Sequence, residues 1–281
     1  MNKINIIYNG DCLEVMKEID DKSIDMILCD LPYQITACEW DIIIPFDKLW
    51  KEYNRIIKDN SAIVLTGSQP FTSMLIMSNL KMFKHSWIWE KQKGANFLLA
   101  KYQPIKYHED ILIFGGSEKK VNFNPQKYKV LEFNEIKDMD KKRLKSVFDN
   151  KEYDRYAKID RRKNVKDVIN PKDSHYGKMN VKIRNTDDGT RFPKSILKIN
   201  KKINSNLHPT QKPIALGQYL IKTYTDKNDL VLDNTCGSGS FLVSAVLEKR
   251  NFIGIEKDEK YYEIAKQRVK QAQIDIRSKL I

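Results

Sequence analysis

The chain has 281 residues, 41% hydrophobic content and a formal net charge of +13 at pH 7. That is enough apolar sequence for one large core, and the longest apolar runs, such as DIIIPF, fall far short of the roughly 20 residues a membrane span needs. Four scattered cysteines with no C-x-x-C pair, and four histidines at no metal-ligand spacing from them, argue against a disulfide framework and a structural zinc site, so no metal is expected. The N-terminus lacks a basic stretch followed by an apolar one, so a soluble cytoplasmic protein is expected.

Up to about residue 115, strand-like and helix-like stretches alternate. SIDMILCD, SAIVLTGS, HSWIWEK and DILIFGG read as short buried strands. PFDKLWKEYNRIIK sets Phe46, Leu49, Trp50, Tyr53 and Ile57 on one helical stripe, and QPFTSMLIMSNL is a second helix candidate. Such alternation predicts βαβ units and a parallel sheet. The first strand runs straight into Asp30, Leu31, Pro32 and Tyr33, a carboxylate and an aromatic ring where an α/β sheet binds ligands.

The middle of the chain loses this rhythm. Residues 118–202 carry 25 Lys/Arg against 13 Asp/Glu, so +12 of the +13 lies there. Tyr128, Tyr153, Tyr156, Tyr176 and Phe192 are interleaved with the charge, and RRKN at 161–164 is a phosphate-facing candidate. The segment predicts a polyanion partner.

Order returns after SNLHPTQKP, with Pro213 opening a helix through IALGQYLIKTY. VLDNTCGSGSFLVSAVLEKRNFIGIE then reads as strand, glycine turn, helix, strand and acid. Glu256 falls 19 residues after Gly237, where an acid can accept the two hydroxyls of a ribose. The turn lacks the third glycine of a dinucleotide site and the G-K-[ST] of a phosphate loop, so the ligand expected is a nucleoside without phosphates. S-adenosylmethionine (SAM) is such a ligand, and Asp233 at the strand tip suits its cationic sulfur. Only about 25 residues follow Glu256, too few to complete the sheet, so the missing strands are those of the first 115 residues.

In order along the chain, CDLPY, the basic middle, LHPTQKP and LDNTCGSGSF resemble the β-class amino-methyltransferases of DNA, whose D-P-P-Y motif precedes the SAM motif. YNGDCLEVMKEIDDKSIDMILCD follows the same pattern. The resemblance covers residues 4–116 and 190–281. It implies an α/β, Rossmann-like methyltransferase sheet assembled from both chain ends, with an inserted basic target-recognition region. The expected divisions are 1–116 (catalytic part), 117–200 (target recognition) and 201–281 (SAM-binding part). It implies a site-specific DNA methyltransferase acting on the N6 amine of a flipped-out adenine.

By this resemblance Asp30 and the Leu31 carbonyl accept the amine, Pro32 holds the turn and Tyr33 stacks on the base. SAM is held by Asp11, Cys12, Asp30, His208, Thr210, Lys212, Asp233, Thr235, Cys236, Gly237, Ser238, Gly239, Ser240 and Glu256. Two departures stand out: Leu31 replaces the first proline of D-P-P-Y, and Asn234–Cys236 stand where the family has Pro-Phe. Trp40 is a further pocket-wall candidate, and Cys29 is expected to be structural. The implied partners are double-stranded DNA, a second copy of the chain and a cognate restriction endonuclease. Rival readings are an N4-cytosine DNA methyltransferase, an RNA or protein-glutamine methyltransferase, and an inactive DNA-binding protein on this fold.

Overall fold

The computed structural model describes residues 3–34, 41–115, 121–129, 190–200 and 211–278. The chain divides into two compact units, Met1–Gln126 with Lys194–Ile281, and Lys127–Pro193.

The first unit is built on an eight-stranded sheet. Its strands are β1 (Ile6–Asn9), β2 (Ile24–Cys29), β3 (Ile57–Gly67), β4 (Phe83–Ala95), β5 (Lys106–Gly115), β8 (Ile196–Lys198), β9 (Leu230–Asp233) and β10 (Asn251–Glu256). Their spatial order is β1-β10-β9-β2-β3-β5-β4-β8. The C-terminal strands β9 and β10 thus sit between β1 and β2, so both chain ends build one sheet, as the sequence predicts. The pairs from β1 through β3 are all parallel.

The expectation of a wholly parallel sheet is corrected on the other side. β5 runs antiparallel to both β3 and β4. The reason lies in residues 96–105, which hold a single 3-10 turn (Phe97–Leu99) and no crossover helix. A parallel return needs a crossover of a dozen or more residues, so β4 and β5 close as a ribbon.

Period-2 alternation sorts the strands' side chains between two cores. Met26 and Leu28 of β2 face one core, which is covered by α4 (Ile214–Tyr224), α5 (Ser240–Leu247) and α6 (Glu259–Ser278). Ile27 and Cys29 face the other, covered by α1 (Cys12–Met16), α2 (Phe46–Ile56) and α3 (Phe71–Ser78). The stripe expected on α2 is buried at Leu49, Trp50 and Tyr53, and the helix ends at Ile56 so that Ile57 opens β3. Pro213 caps α4 from the position before its first turn.

In the second unit the described residues form a short antiparallel pair, β6 (Tyr128–Lys129) and β7 (Thr190–Arg191). Lys127 Nζ lies 5.2 Å from the centre of the Phe192 ring. Tyr153, Tyr156, Tyr176 and the RRKN stretch lie outside the described residues. Among the described residues no helix is long and apolar enough to cross a membrane.

Candidate active site

Because β2 and β9 are parallel neighbours, with Met26 opposite Val231 and Ile27 opposite Leu232, their carboxyl ends deliver Asp30 and Asp233 to the same sheet edge. The two loops are stitched together there. Thr235 donates its hydroxyl to the Asp30 carbonyl (3.1 Å). The Cys29 thiol donates to Asn234 Oδ1 (2.7 Å), as does the Tyr53 hydroxyl (2.6 Å). The Asn234 N–H in turn donates to Cys29 Sγ (3.0 Å). Burial pushes the Cys29 thiol far above its ordinary pKa, and Asp233 adds to the effect, so this sulfur is a neutral buried tie.

Asp30 is held on both oxygens. Oδ1 accepts from the Tyr33 hydroxyl (2.7 Å) and from the Thr66 hydroxyl, and Tyr33 Oη lies 2.7 Å from Thr66 Oγ1. Oδ2 accepts from Lys212 Nζ (2.6 Å). That ammonium also lies 3.2 Å from Glu109 Oε2, an ion pair without hydrogen-bond alignment, while Glu109 Oε1 accepts from Lys91 at 3.0 Å. Burial alone would lower the Lys212 pKa; Asp30 and Glu109 outweigh it and leave the value raised. Burial likewise opposes the ionised form of Glu109, but Lys212 and Lys91 hold its carboxyl below the usual value. The cluster is therefore a charged, alternating row of Asp30, Lys212, Glu109 and Lys91.

The Tyr33 ring stacks on Phe71, with centroids 4.9 Å apart and planes 28° apart. Leu31 is 4% exposed and its side chain belongs to the α1–α3 core. An apolar residue is accommodated there because the position faces inward.

Beside this row lies a cleft of about 550 Å³. Its floor is the glycine turn, where Gly237 (φ 51°) and Gly239 (φ 76°) take left-handed conformations that favour glycine. A Cβ on Gly239 would also come within 3.0 Å of the Ala265 methyl on α6. Ser238 and Ser240 line the cleft, but both hydroxyls are engaged by Arg268 Nη1, at 2.9 and 3.3 Å. Glu256 Oε2 accepts the Gly237 N–H (2.7 Å) and Oε1 the Asp258 N–H (2.9 Å). Burial raises the Glu256 pKa.

Asp11 caps α1 by accepting the Leu13 N–H (3.0 Å) and pairs with Lys257 at 3.4 Å. Cys12 follows it into the wall, its thiol pushed up to about 11 by burial. Asp233 is 2% exposed, and burial pushes its carboxyl up to about 8; Asp30 and Glu256 push in the same direction. Asp30, Pro32, Lys212, Thr235 and Cys236 also face the cleft. Leu31, Tyr33 and Gly239 are not among its lining residues. His208, Thr210 and Trp40 lie outside the described residues.

Five participants carry no motif in the sequence. Thr66 lies one residue before the end of β3, and pairing of Cys29 with Leu65 sets it beside Asp30, which only the strand order reveals. Glu109 enters from antiparallel β5, and Ile43 to Pro45 supply an apolar wall. Five acids face the cleft (Asp11, Asp30, Asp233, Glu256 and Asp258) against Lys212 and Lys257. Such a lining suits a cationic ligand and repels phosphates. Asn234 is 1% exposed and its Nδ2 is buried, with the Cys12 thiol as its neighbour.

Comparison with known proteins gives the family and the fold. The N6/N4 methyltransferase family model, described as DNA methylase, matches residues 24–267. The type II methyltransferase M2.MboI of Moraxella bovis is 26% identical over 289 residues, covering 93% of this chain and 86% of that protein. Among solved structures, the M1.HpyAVI–SAM complex superposes with a TM-score of 0.58 at 21% identity, covering 94% of this chain and 98% of the other. The cytosine-N4-specific PvuII DNA methyltransferase gives 0.62 at 13% identity, covering 98% and 93%.

Proposed function

Since the chain belongs to the DNA methylase family, we propose that it transfers a methyl group from SAM to the N6 amine of adenine in double-stranded DNA. The observation that carries this reading is Asp30, fixed by Lys212, Tyr33 and Thr66 at the edge of an acid-lined cleft. The cleft's chemistry fits SAM: it is nucleoside-sized, carries an acid where a ribose would be read, and has no phosphate loop. The SAM complex of M1.HpyAVI, a shared fold, supports the same assignment. Glu256 is assigned to the ribose hydroxyls, Asp11 and Cys12 to the adenine end, and Asp233 to the cationic end, and the family resemblance adds His208 and Thr210 to the cofactor set.

When bound, SAM supplies an electrophilic methyl on a sulfonium. The chain's own residues prepare the acceptor. An exocyclic amine is a poor nucleophile because its lone pair is delocalised into the ring. Asp30 and the Leu31 carbonyl accept its two N–H bonds and so localise that pair. Both Tyr33 and Thr66 already occupy Asp30 Oδ1. The amine therefore approaches Oδ2, beside the Lys212 ammonium, or reaches Oδ1 once Tyr33 swings off it to stack on the base. Lys212 holds the carboxylate in one orientation while this happens.

Adenine is favoured over cytosine because an acid opens the D-L-P-Y motif, where cytosine enzymes resembling this chain tend to carry serine. The likeness to the PvuII enzyme is the observation on the side of N4-cytosine. The basic region 117–200 is assigned to DNA contact, and a homodimer and a cognate endonuclease belong to the same reading of a restriction–modification enzyme. The test is methyl transfer from labelled SAM to unmethylated genomic DNA, followed by nucleoside mass spectrometry, with Asp30→Ala alongside. Label in N6-methyladenine, lost in the variant, is the expected result. Label in N4-methylcytosine transfers the mechanism to the other base. No label despite SAM binding refutes the reading.

A further inference from the structure

The β4–β5 ribbon does more than complete the sheet. β3 ends at Gly67 opposite Asp110, and the ribbon continues past it with Glu90 opposite His108 and Ala95 opposite Lys106. It therefore stands out from the carboxyl edge that carries Asp30 and Tyr33, and Glu109 at its root touches Lys212. From Glu109 to Ile105 is four residues, or roughly 13 Å of strand.

The tip is an ordered turn with an inverted surface. Asn96 reverses the chain in a left-handed conformation (φ 68°), and its carbonyl accepts the Leu99 N–H at 3.0 Å. The Leu99 carbonyl accepts from Tyr102 at 2.9 Å. Gly94 lies so close beneath Ile105 and Tyr107 that a Cβ would fall 2.4 Å from Ile105 Cγ2, which fixes the base of the turn. Yet Phe97 is 62% exposed, Leu98 97%, Leu99 46% and Tyr102 85%. Four large apolar side chains within six residues stand wholly or partly in water, a pattern that marks a surface covered in use.

The charge around the tip identifies what covers it. Lys93 and Lys101 flank the turn and Lys106 stands at its base, Lys91 being taken up by Glu109, and no Asp or Glu falls between Lys91 and His108. Two such tips would repel each other, whereas a polyanion is attracted. A lysine-flanked apolar point beside a base-holding site has the chemistry of a side-chain wedge in a base stack. We propose that the tip, with Phe97 and Leu98 leading, inserts into the DNA duplex at the slot the extruded target base leaves, holding the base out while it sits at Asp30. This rests on the DNA methylase reading above.

The test uses the full-length chain and a synthetic duplex carrying the site found by sequencing wild-type-methylated DNA. In one duplex the target is paired; in the other it faces an abasic position and is already partly unstacked. The variant is Phe97→Ser/Leu98→Ser, at exposed positions where the melting temperature and SAM-induced stabilisation should equal those of wild type. Methylation of the paired duplex should fall about 10- to 100-fold, and that of the abasic duplex should stay within about threefold, because unstacking costs a few kcal/mol. Unchanged rates on the paired duplex would overturn the proposal. So would equal losses on both duplexes, or a loss that tracks a smaller species in sedimentation, which would make the tip a contact between copies. Wild-type protein that methylates no DNA would instead remove the functional reading itself.

Discussion

Replacing Lys212 with methionine keeps the stem and deletes the one ammonium shared by Asp30 and Glu109. Lys212 is 6% exposed, against 22% for the Asp30 side chain and 16% for Glu109. Breaking a fully buried pair costs about 3–5 kcal/mol because the remaining charge has no partner. Here Asp30 keeps Tyr33 and Thr66, Glu109 keeps Lys91, and some solvent reaches both acids. The expected loss is therefore about 2–3 kcal/mol, or roughly 5–10 °C in melting temperature for a chain of this size. Its pH dependence carries a sign. Glu109 is held below its ordinary 4.5 partly by Lys212, so its stabilisation is present above that value and disappears as the pH falls through the lowered one. In the variant burial is less opposed and the group moves up. The stability gap between wild type and Lys212→Met should thus be widest near neutrality and narrow below about pH 4.5. Methyl transfer at pH 7 should fall about 100-fold as the orientation of Asp30 is lost. Calorimetric melts at pH 4 and 7, with single-turnover methylation, decide it. A gap equal at both pH values, or transfer within about threefold of wild type, would refute the shared-ammonium argument.

Other outcomes follow from the same geometry. With Asp233 pushed up to about 8, the free protein should lose stability as the pH climbs from 3.8 toward 8, and binding the cationic ligand should displace a proton. SAM affinity should rise with pH up to about 8, with nearly one proton released at pH 6.5 and none at pH 9, read by calorimetry in buffers of different ionisation enthalpy; Asp233→Asn should remove the dependence. Cys29 is buried away from the cleft and its thiol is raised by burial, so a thiol reagent at pH 8 should reach it only on unfolding, while SAM should slow any labelling of the cleft-lining Cys12 and Cys236. Gly217→Ala places a Cβ 2.4 Å from Ser244 Oγ, where α4 meets α5, and should cost about 1–3 kcal/mol in denaturant melts with Asp30-dependent chemistry intact. DNA affinity should fall steeply with salt, since the +12 of residues 118–202 displaces counterions.

The parts of this molecule legible in the sequence are those written in contiguous residues. A strand ending in Asp30-Leu31-Pro32-Tyr33 and another ending in Asp233 with a glycine turn each announce themselves locally. The place of β9 and β10 between β1 and β2 then follows from the strand order. What escapes is whatever depends on strand neighbours. Thr66 reaches Asp30 because β3 lies beside β2, and Glu109 does so because β5 turns antiparallel, which no periodicity distinguishes from a parallel return. Lys212 shows the difference most sharply. Its motif places it at the cofactor edge, and the structure does set it in the cleft wall. But its ammonium is spent on Asp30 and Glu109, so it serves the acceptor side of the reaction as much as the cofactor side. One lysine then links the two halves of the sheet that the chain brings from opposite ends, and the site is complete only when both have docked.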